Sequence, residues 1–417
     1  MINKVKRIVG NNRTVFANFS YLTLLQIFNL LLPLVTYPYL IRILGSGVYG
    51  KVIFAQAVVM YFSIIINFGF NISATKDVAE NRDIKKKLDE IVSSIYILKG
   101  FLWFVSLLLF LFLIYIIPSF KQDFLLFLLT FGMTLMELFF PQWYFQGVEK
   151  MRYITIINVL SRSLFTVLIF IFVKNQHDYL LVPLFNTIGF FIGGVVSFLV
   201  LSIFERVVFK IQNYSVLRYY FKESIPLFLS AASIQVYVNA NRVIVGAFLG
   251  MKDVAYYDLG EKILKLLKMP VGMLGQAAFP KLSREKNIKL INRYLLIGIA
   301  GTSGLVLGVL FFRETIVSLL IGKYVIEAAK VLSILSISAL MVAASQFLGT
   351  SRMIVFGFRK AFSKIIISSA IFFLIGFGIL FFVNTISLKS LAWLAVFVEA
   401  WVTLVMLVFC YKQKLLV

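Results

Sequence analysis

Five ionisable residues, Asp258, Glu261, Lys262, Lys265 and Lys268, follow one another at i, i+3, i+4, i+7 and i+10. On an α-helix that spacing lays them along one stripe. Asp258 with Lys262, and Glu261 with Lys265, are i,i+4 pairs in the acid-first order that helices favour, which leaves one cation over. Two arginines, Arg162 and Arg242, lie about halfway along long apolar stretches. Such a set suits electrostatic binding better than bond-making: it reads as a hydrophilic cavity wall with a slight positive bias. A salt-bridged stripe that only packs helices together satisfies the same spacing.

Other groupings that resemble reactive sites fail on context. Gly45-Ser46-Gly47-Val48-Tyr49-Gly50-Lys51 matches both G-x-G-x-x-G and G-x-x-x-x-G-K. A phosphate loop needs Ser or Thr after the lysine to hold magnesium, and position 52 is Val. Both fingerprints also need a preceding strand, whereas this segment joins two apolar stretches and reads as a tight turn. His177 and Cys410 are the single residues of their types, so neither a Ser/His/Asp grouping, nor an internal disulfide, nor a Cys/His metal cluster can be assembled. The expectation is a non-enzyme with no metal and no cofactor.

The elements that carry these charges are membrane helices. Of 417 residues 61% are hydrophobic and 14% charged, with a mean hydropathy of +0.95. Soluble chains run at roughly 45–50% apolar and about 25% charged. Apolar stretches fall at 14–41, 48–71, 91–117, 123–146, 153–173, 179–203, 225–249, 254–278, 292–312, 327–349, 362–383 and 390–411. They predict an all-α polytopic membrane protein of twelve transmembrane helices, because lipid requires every backbone amide to be paired within its segment. The polar break at 204–224 divides them into two six-helix bundles, 1–210 and 211–417, expected around a central cavity.

The net charge of +23 would suggest nucleic acid on a soluble chain. Here topology explains it. With the N-terminus inside, 26 Lys and Arg fall on the cytoplasmic side and 8 outside, the positive-inside bias, and no nucleic-acid partner is implied. Both termini are expected in the cytoplasm. Seven cations remain within spans, Lys99, Arg162, Arg242, Lys262, Lys265, Lys268 and Lys330, with four acids, Glu137, Asp258, Glu261 and Glu399. Lys99 and Lys330 lie near span ends and are expected to snorkel to the interface. The others generally face a bundle interior or a wet cavity. Pro33, Pro38 and Pro270 are candidate kinks. Leu44-Gly45 with Val48-Tyr49, and Leu249-Gly250 with Val254 and Tyr256, hint at a parallel repeat between the halves.

Three longer segments carry a resemblance: 42–50 (Arg42 to Gly50), Pro141-Gln-Trp-Tyr-Phe-Gln-Gly-Val-Glu-Lys-Met151, and 245–256 leading to Phe279-Pro-Lys-Leu-Ser283. Together with chain length and two equal halves they resemble the Wzx-type flippases of the multidrug/oligosaccharidyl-lipid/polysaccharide superfamily. That resemblance implies a bacterial inner-membrane flippase for O-antigen or similar polysaccharide repeat units. It implies movement of an undecaprenyl-diphosphate-linked oligosaccharide from the cytoplasmic to the periplasmic leaflet by alternating access. Membrane lipids are implied as partners, with a polysaccharide polymerase and a chain-length regulator acting downstream. Arg162, Arg242, Asp258, Glu261, Lys262, Lys265 and Lys268 are then the substrate-cavity candidates, and Trp143, Tyr144 or Tyr237 could stack on sugar rings. Relatives often carry an acid before the arginine of the seventh span, where this chain has Asn241-Arg242, which puts ion coupling in doubt. A multidrug or metabolite antiporter of the same superfamily is the alternative, and it favours an acid-dominated cavity. A non-transporting scaffold subunit is a third reading, with no use for a charged stripe.

Overall fold

The computed structural model describes residues 13–323 and 325–416, apart from the side chains of 13–19, 22, 230, 234, 236, 237 and 280. Lys4, Lys6 and Arg7, and the side chains of Arg13 and Tyr237, therefore lie outside the description. Every regular element among the described residues is helical. In chain order these are α1 (Arg13–Asn67), α2 (Phe70–Glu80), α3 (Lys85–Ile116), α4 (Pro118–Gln122), α5 (Phe124–Phe131), α6 (Leu135–Phe139), α7 (Gln142–Gly147) and α8 (Met151–Phe172). They continue with α9 (Leu181–Leu199), α10 (Tyr214–Phe248), α11 (Met251–Glu285), α12 (Ile288–Phe311), α13 (Arg313–Ile321), α14 (Ile326–Leu348), α15 (Arg359–Phe382) and α16 (Leu388–Lys412).

Among the described residues, nine helical segments are long and apolar enough to cross a membrane. One of them, Thr23–Glu80, is 58 residues long and takes in residues 23–41 of the first expected span and all of the second. α10 and α11 are 35 residues each. At about 1.5 Å per residue that is roughly 52 Å, more than the ~30 Å hydrocarbon core. Both are too polar to be counted by composition. They are the seventh and eighth expected spans, and α11 carries the charged stripe.

The break in α1 falls at Gly45 (φ 74°, ψ 157°), not at the prolines; the chain stays helical through Pro33 and Pro38. A proline in a membrane helix forfeits one backbone bond, which neighbours can replace. Gly45 instead adopts a conformation open almost only to glycine. Gly250, between α10 and α11, adopts a related one (φ 131°, ψ 169°). The two positions paired in the repeat motif thus make the same kind of glycine turn. A β-carbon at Gly50 would overlap the carbonyl of Met251, so a second glycine lets the two turns meet.

The fourth expected span is broken. α5 passes through a 3₁₀ turn at Gly132–Thr134 into α6, and the chain extends at Phe140 before Pro141 starts α7. A residue before proline is disfavoured in the helical region, which accounts for Phe140 (φ −91°, ψ 107°).

The chain folds into two compact units. The first takes residues up to Thr36 with Ala55–Ala232, and the second takes Tyr37–Phe54 with Ser233–Val417. Residues 37–54, which flank the Gly45 turn, belong to the second unit because Tyr37 and Tyr49 are buried against α11.

Candidate functional site

In the second unit, α11 presents Asp258, Glu261 and Lys262 to α10 and to the segment around Gly45. Asp258 receives a hydrogen bond from the Tyr49 hydroxyl (3.0 Å) and forms an ion pair with Lys262. Its other oxygen lies 3.8 Å from Arg242 Nη1. Arg242, on α10, brings Nε to 2.7 Å from Glu261 Oε2, although the N–H is not directed at that oxygen. Arg242 Nη2 donates to Asn239 Oδ1 at 3.1 Å. Neighbouring Asn241 donates to the Tyr257 hydroxyl at 2.7 Å.

The Asp258–Lys262 pair is therefore as the spacing predicts, and the Glu261–Lys265 pair is not. Glu261 turns to Arg242 because both side chains are largely buried, and a buried guanidinium needs a counter-charge more than an exposed ammonium does. The acid missing beside Arg242 in sequence is supplied from α11 in space. Lys268 is paired as well, with Glu399 of α16 at 3.1 Å. Lys265 is exposed and has no ion-pair partner among the described residues. A pocket of about 110 Å³ within this unit is lined by Arg242, Glu261, Lys265, Lys268 and Glu399. Its charge bias comes down to Lys265.

Arg162 belongs to the first unit. It lines a cavity of about 320 Å³ with Gln56, Asn71, Glu137, Gln142 and Asn158. That volume lies at the lower end of ligand pockets, roughly 300–1,000 Å³. Arg162 Nε is buried without a hydrogen-bond partner, and no carboxylate lies within ion-pair distance among the described residues. Glu137 Oε2 accepts from Asn67 Nδ2 at 3.0 Å. Amides and one unneutralised guanidinium suit hydroxyl groups and an anion.

Lys99 corrects the sequence expectation. It does not snorkel: it is 2% exposed, and Nζ donates to the backbone carbonyl of Glu137 at 2.9 Å. The carbonyl of residue 137 would be bonded in a continuous helix by the N–H of residue 141, which is proline and has none. Lys99 supplies the missing donor, and Tyr96 does the same for the Phe139 carbonyl at 3.0 Å. Lys99→Leu should therefore lower stability by roughly 1–3 kcal/mol, the penalty for an unpaired buried group. Thermal unfolding of the purified protein checks this. Adding Pro141→Ala, which restores an N–H, should recover part of the loss. Lys330 is exposed.

One further expectation is corrected. Trp143 and Tyr144 are not free to stack on sugars; with Phe145 they fill the core of the first unit. Thr75 of α2 donates to the Trp143 carbonyl at 3.2 Å, and Gly147 packs directly on Val78. That motif is a helix-packing device. Arg352 is 1% exposed and bonds Asn292 Oδ1.

The profile of the polysaccharide biosynthesis protein family matches residues 15–286. The chain belongs to this family. A protein of Escherichia coli (strain K12) named for O-antigen transport is 28% identical over 423 residues, covering 98% of this chain and 99% of its own. One from Shigella dysenteriae with the same name is 28% identical over 371 residues, covering 85% and 90%. The fold is similar to that of a multidrug resistance MATE family transporter in its inward-facing conformation (TM-score 0.69, 15% identity, 92% of this chain and 94% of that one). It is also similar to the lipid II flippase MurJ (TM-score 0.68, 13% identity, 94% and 87%). The Wzx-type resemblance of this polysaccharide biosynthesis protein therefore stands.

Proposed function

We propose that the protein is a flippase for undecaprenyl-diphosphate-linked oligosaccharide repeat units of O-antigen or a similar polysaccharide. It carries them from the cytoplasmic to the periplasmic leaflet of the bacterial inner membrane by alternating access. The observation that carries this reading is a cation in each unit with no ion-pair partner among the described residues: Arg162, in a cavity it shares with Glu137 and four amide side chains, and Lys265, in a pocket where three cations face two acids. A diphosphate–sugar head group is anionic and hydrophilic and needs such donors in place of water, while its polyprenyl tail stays in lipid. An organic-cation antiporter would need the opposite balance in the second-unit pocket.

In this reading α1 crosses twice, on either side of Gly45, and α10 and α11 are full crossings. Twelve helices then form bundles 1–210 and 211–417, with both termini in the cytoplasm. The basic cytoplasmic loops gather anionic lipids. A polymerase and a chain-length regulator use the product on the far side.

Deleting the gene should strand lipid-linked repeat units on the cytoplasmic leaflet and abolish surface glycan. Unchanged glycan with altered drug sensitivity would refute the flippase in favour of the antiporter.

A further inference from the structure

We infer that Asp258, Tyr49 and Tyr37 form a monovalent-cation site in the second unit whose occupant is the chain's own Lys262 ammonium. The unit then works without an external cation at this place. Removing the lysine makes it dependent on one, a small alkylammonium or sodium ion.

Four groups converge on the ammonium. Lys262 Nζ pairs with Asp258 Oδ2 and donates to the Tyr49 hydroxyl at 2.7 Å, while that hydroxyl donates to the same carboxylate oxygen at 3.0 Å. Nζ lies 4.6 Å from the centroid of the Tyr37 ring and 5.4 Å from that of Tyr49. The two rings stand edge to face, with centroids 5.3 Å apart and planes at 87°. One carboxylate, one hydroxyl and two aromatic rings within about 6 Å are what recognises an ammonium ligand.

The walls are also held by contacts that do not involve the lysine. Tyr37, Tyr49 and Asp258 are buried, and the Tyr37 hydroxyl is anchored on the Ala255 carbonyl at 3.4 Å. Arg242 Nη1, at 3.8 Å, offsets only the far oxygen of Asp258, so the near oxygen keeps its demand for a cation. The Lys262 side chain is 20% exposed, so the site opens outward along the lysine stem. An external cation could enter there once the stem is cut back.

Lys262 is fixed one helical turn from Asp258, so its ammonium is always present at high effective concentration. A free ion at ordinary concentration cannot displace it. The tyrosines come from either side of the Gly45 turn and the charged residues from α11, so occupancy ties that turn to α11. Stability therefore reports occupancy directly, and the readout does not rest on the flippase reading.

The test uses the full chain purified in detergent, with ionic strength held constant by N-methyl-D-glucamine chloride. The wild type should unfold at the same temperature in sodium, potassium or N-methyl-D-glucamine. Lys262→Ala should unfold lower, and methylammonium or sodium should raise its midpoint saturably by about 2–4 °C. Adding Asp258→Asn should remove that response, and Tyr37→Leu should weaken it for methylammonium more than for sodium. Lys262→Gln, which keeps a polar stem, serves if the alanine variant does not accumulate, with the same expectation. A saturable sodium response in the wild type overturns the inference. So does a lysine-free variant that responds no more than the wild type.

Discussion

Arg242→Ala is expected to lower folded protein in the membrane and surface-glycan display together. At a surface, removing one partner of an ion pair costs about 0–1 kcal/mol. Arg242 and Glu261 are not at a surface; their side chains are 15% and 14% exposed. Breaking a pair at that depth costs roughly 3–5 kcal/mol, because the remaining charge is buried without compensation. Asp258 loses its second cation by the same change, though Lys262 stays on its near oxygen. The loss should appear in membrane abundance and as a lower unfolding temperature in detergent. Replacing both partners, Arg242→Met with Glu261→Gln, should recover much of the stability, since a neutral pair leaves no orphan charge. Display should stay impaired in the double variant if Arg242 also serves the substrate. Normal abundance and a normal unfolding temperature in Arg242→Ala would show that the pair contributes nothing.

The sequence identified the charged groups but not their partners, and the difference is physical. Helical periodicity relates residues within one element, so Asp258 and Lys262 were paired correctly from spacing alone. Glu261 and Arg242 lie on different helices, as do Lys268 and Glu399, and no spacing rule reaches across an interhelical gap. Lys265 was therefore assigned a partner that prefers another cation. The glycine turns were legible because the backbone conformation at Gly45 and Gly250 excludes almost every other residue. Lys99 left a fainter trace. Pro141, four residues after Glu137, announces an orphan carbonyl, but only the fold shows that α3 brings a lysine to it. Trp143 and Tyr144 misled because an aromatic residue beside a polar motif looks the same whether it faces sugar or core.

Lys265→Ala should reverse the pattern of Arg242→Ala: display falls while abundance and unfolding temperature hold. Lys265 is exposed and has no ion-pair partner among the described residues, so its removal leaves no buried charge and should change stability by no more than about 0.5 kcal/mol. Its lost contribution to binding is larger. A cation about 4 Å from a phosphate oxygen is stabilised by about 1 kcal/mol in water and about 4 kcal/mol at an effective dielectric near 20. A partly enclosed pocket lies between these limits, so a weakening on the order of tenfold is expected, about 1.4 kcal/mol. Lys265→Arg should retain function because charge and reach are kept. Lys265→Glu should be worse than alanine, since it adds a repelling carboxylate next to Glu261 and Glu399 on the same pocket wall. Glycan display measured against membrane abundance separates these cases. If Lys265→Glu displays glycan normally, that pocket has no cation available for an anionic head group. Every other cation lining that pocket already has its acid, Arg242 with Glu261 and Lys268 with Glu399.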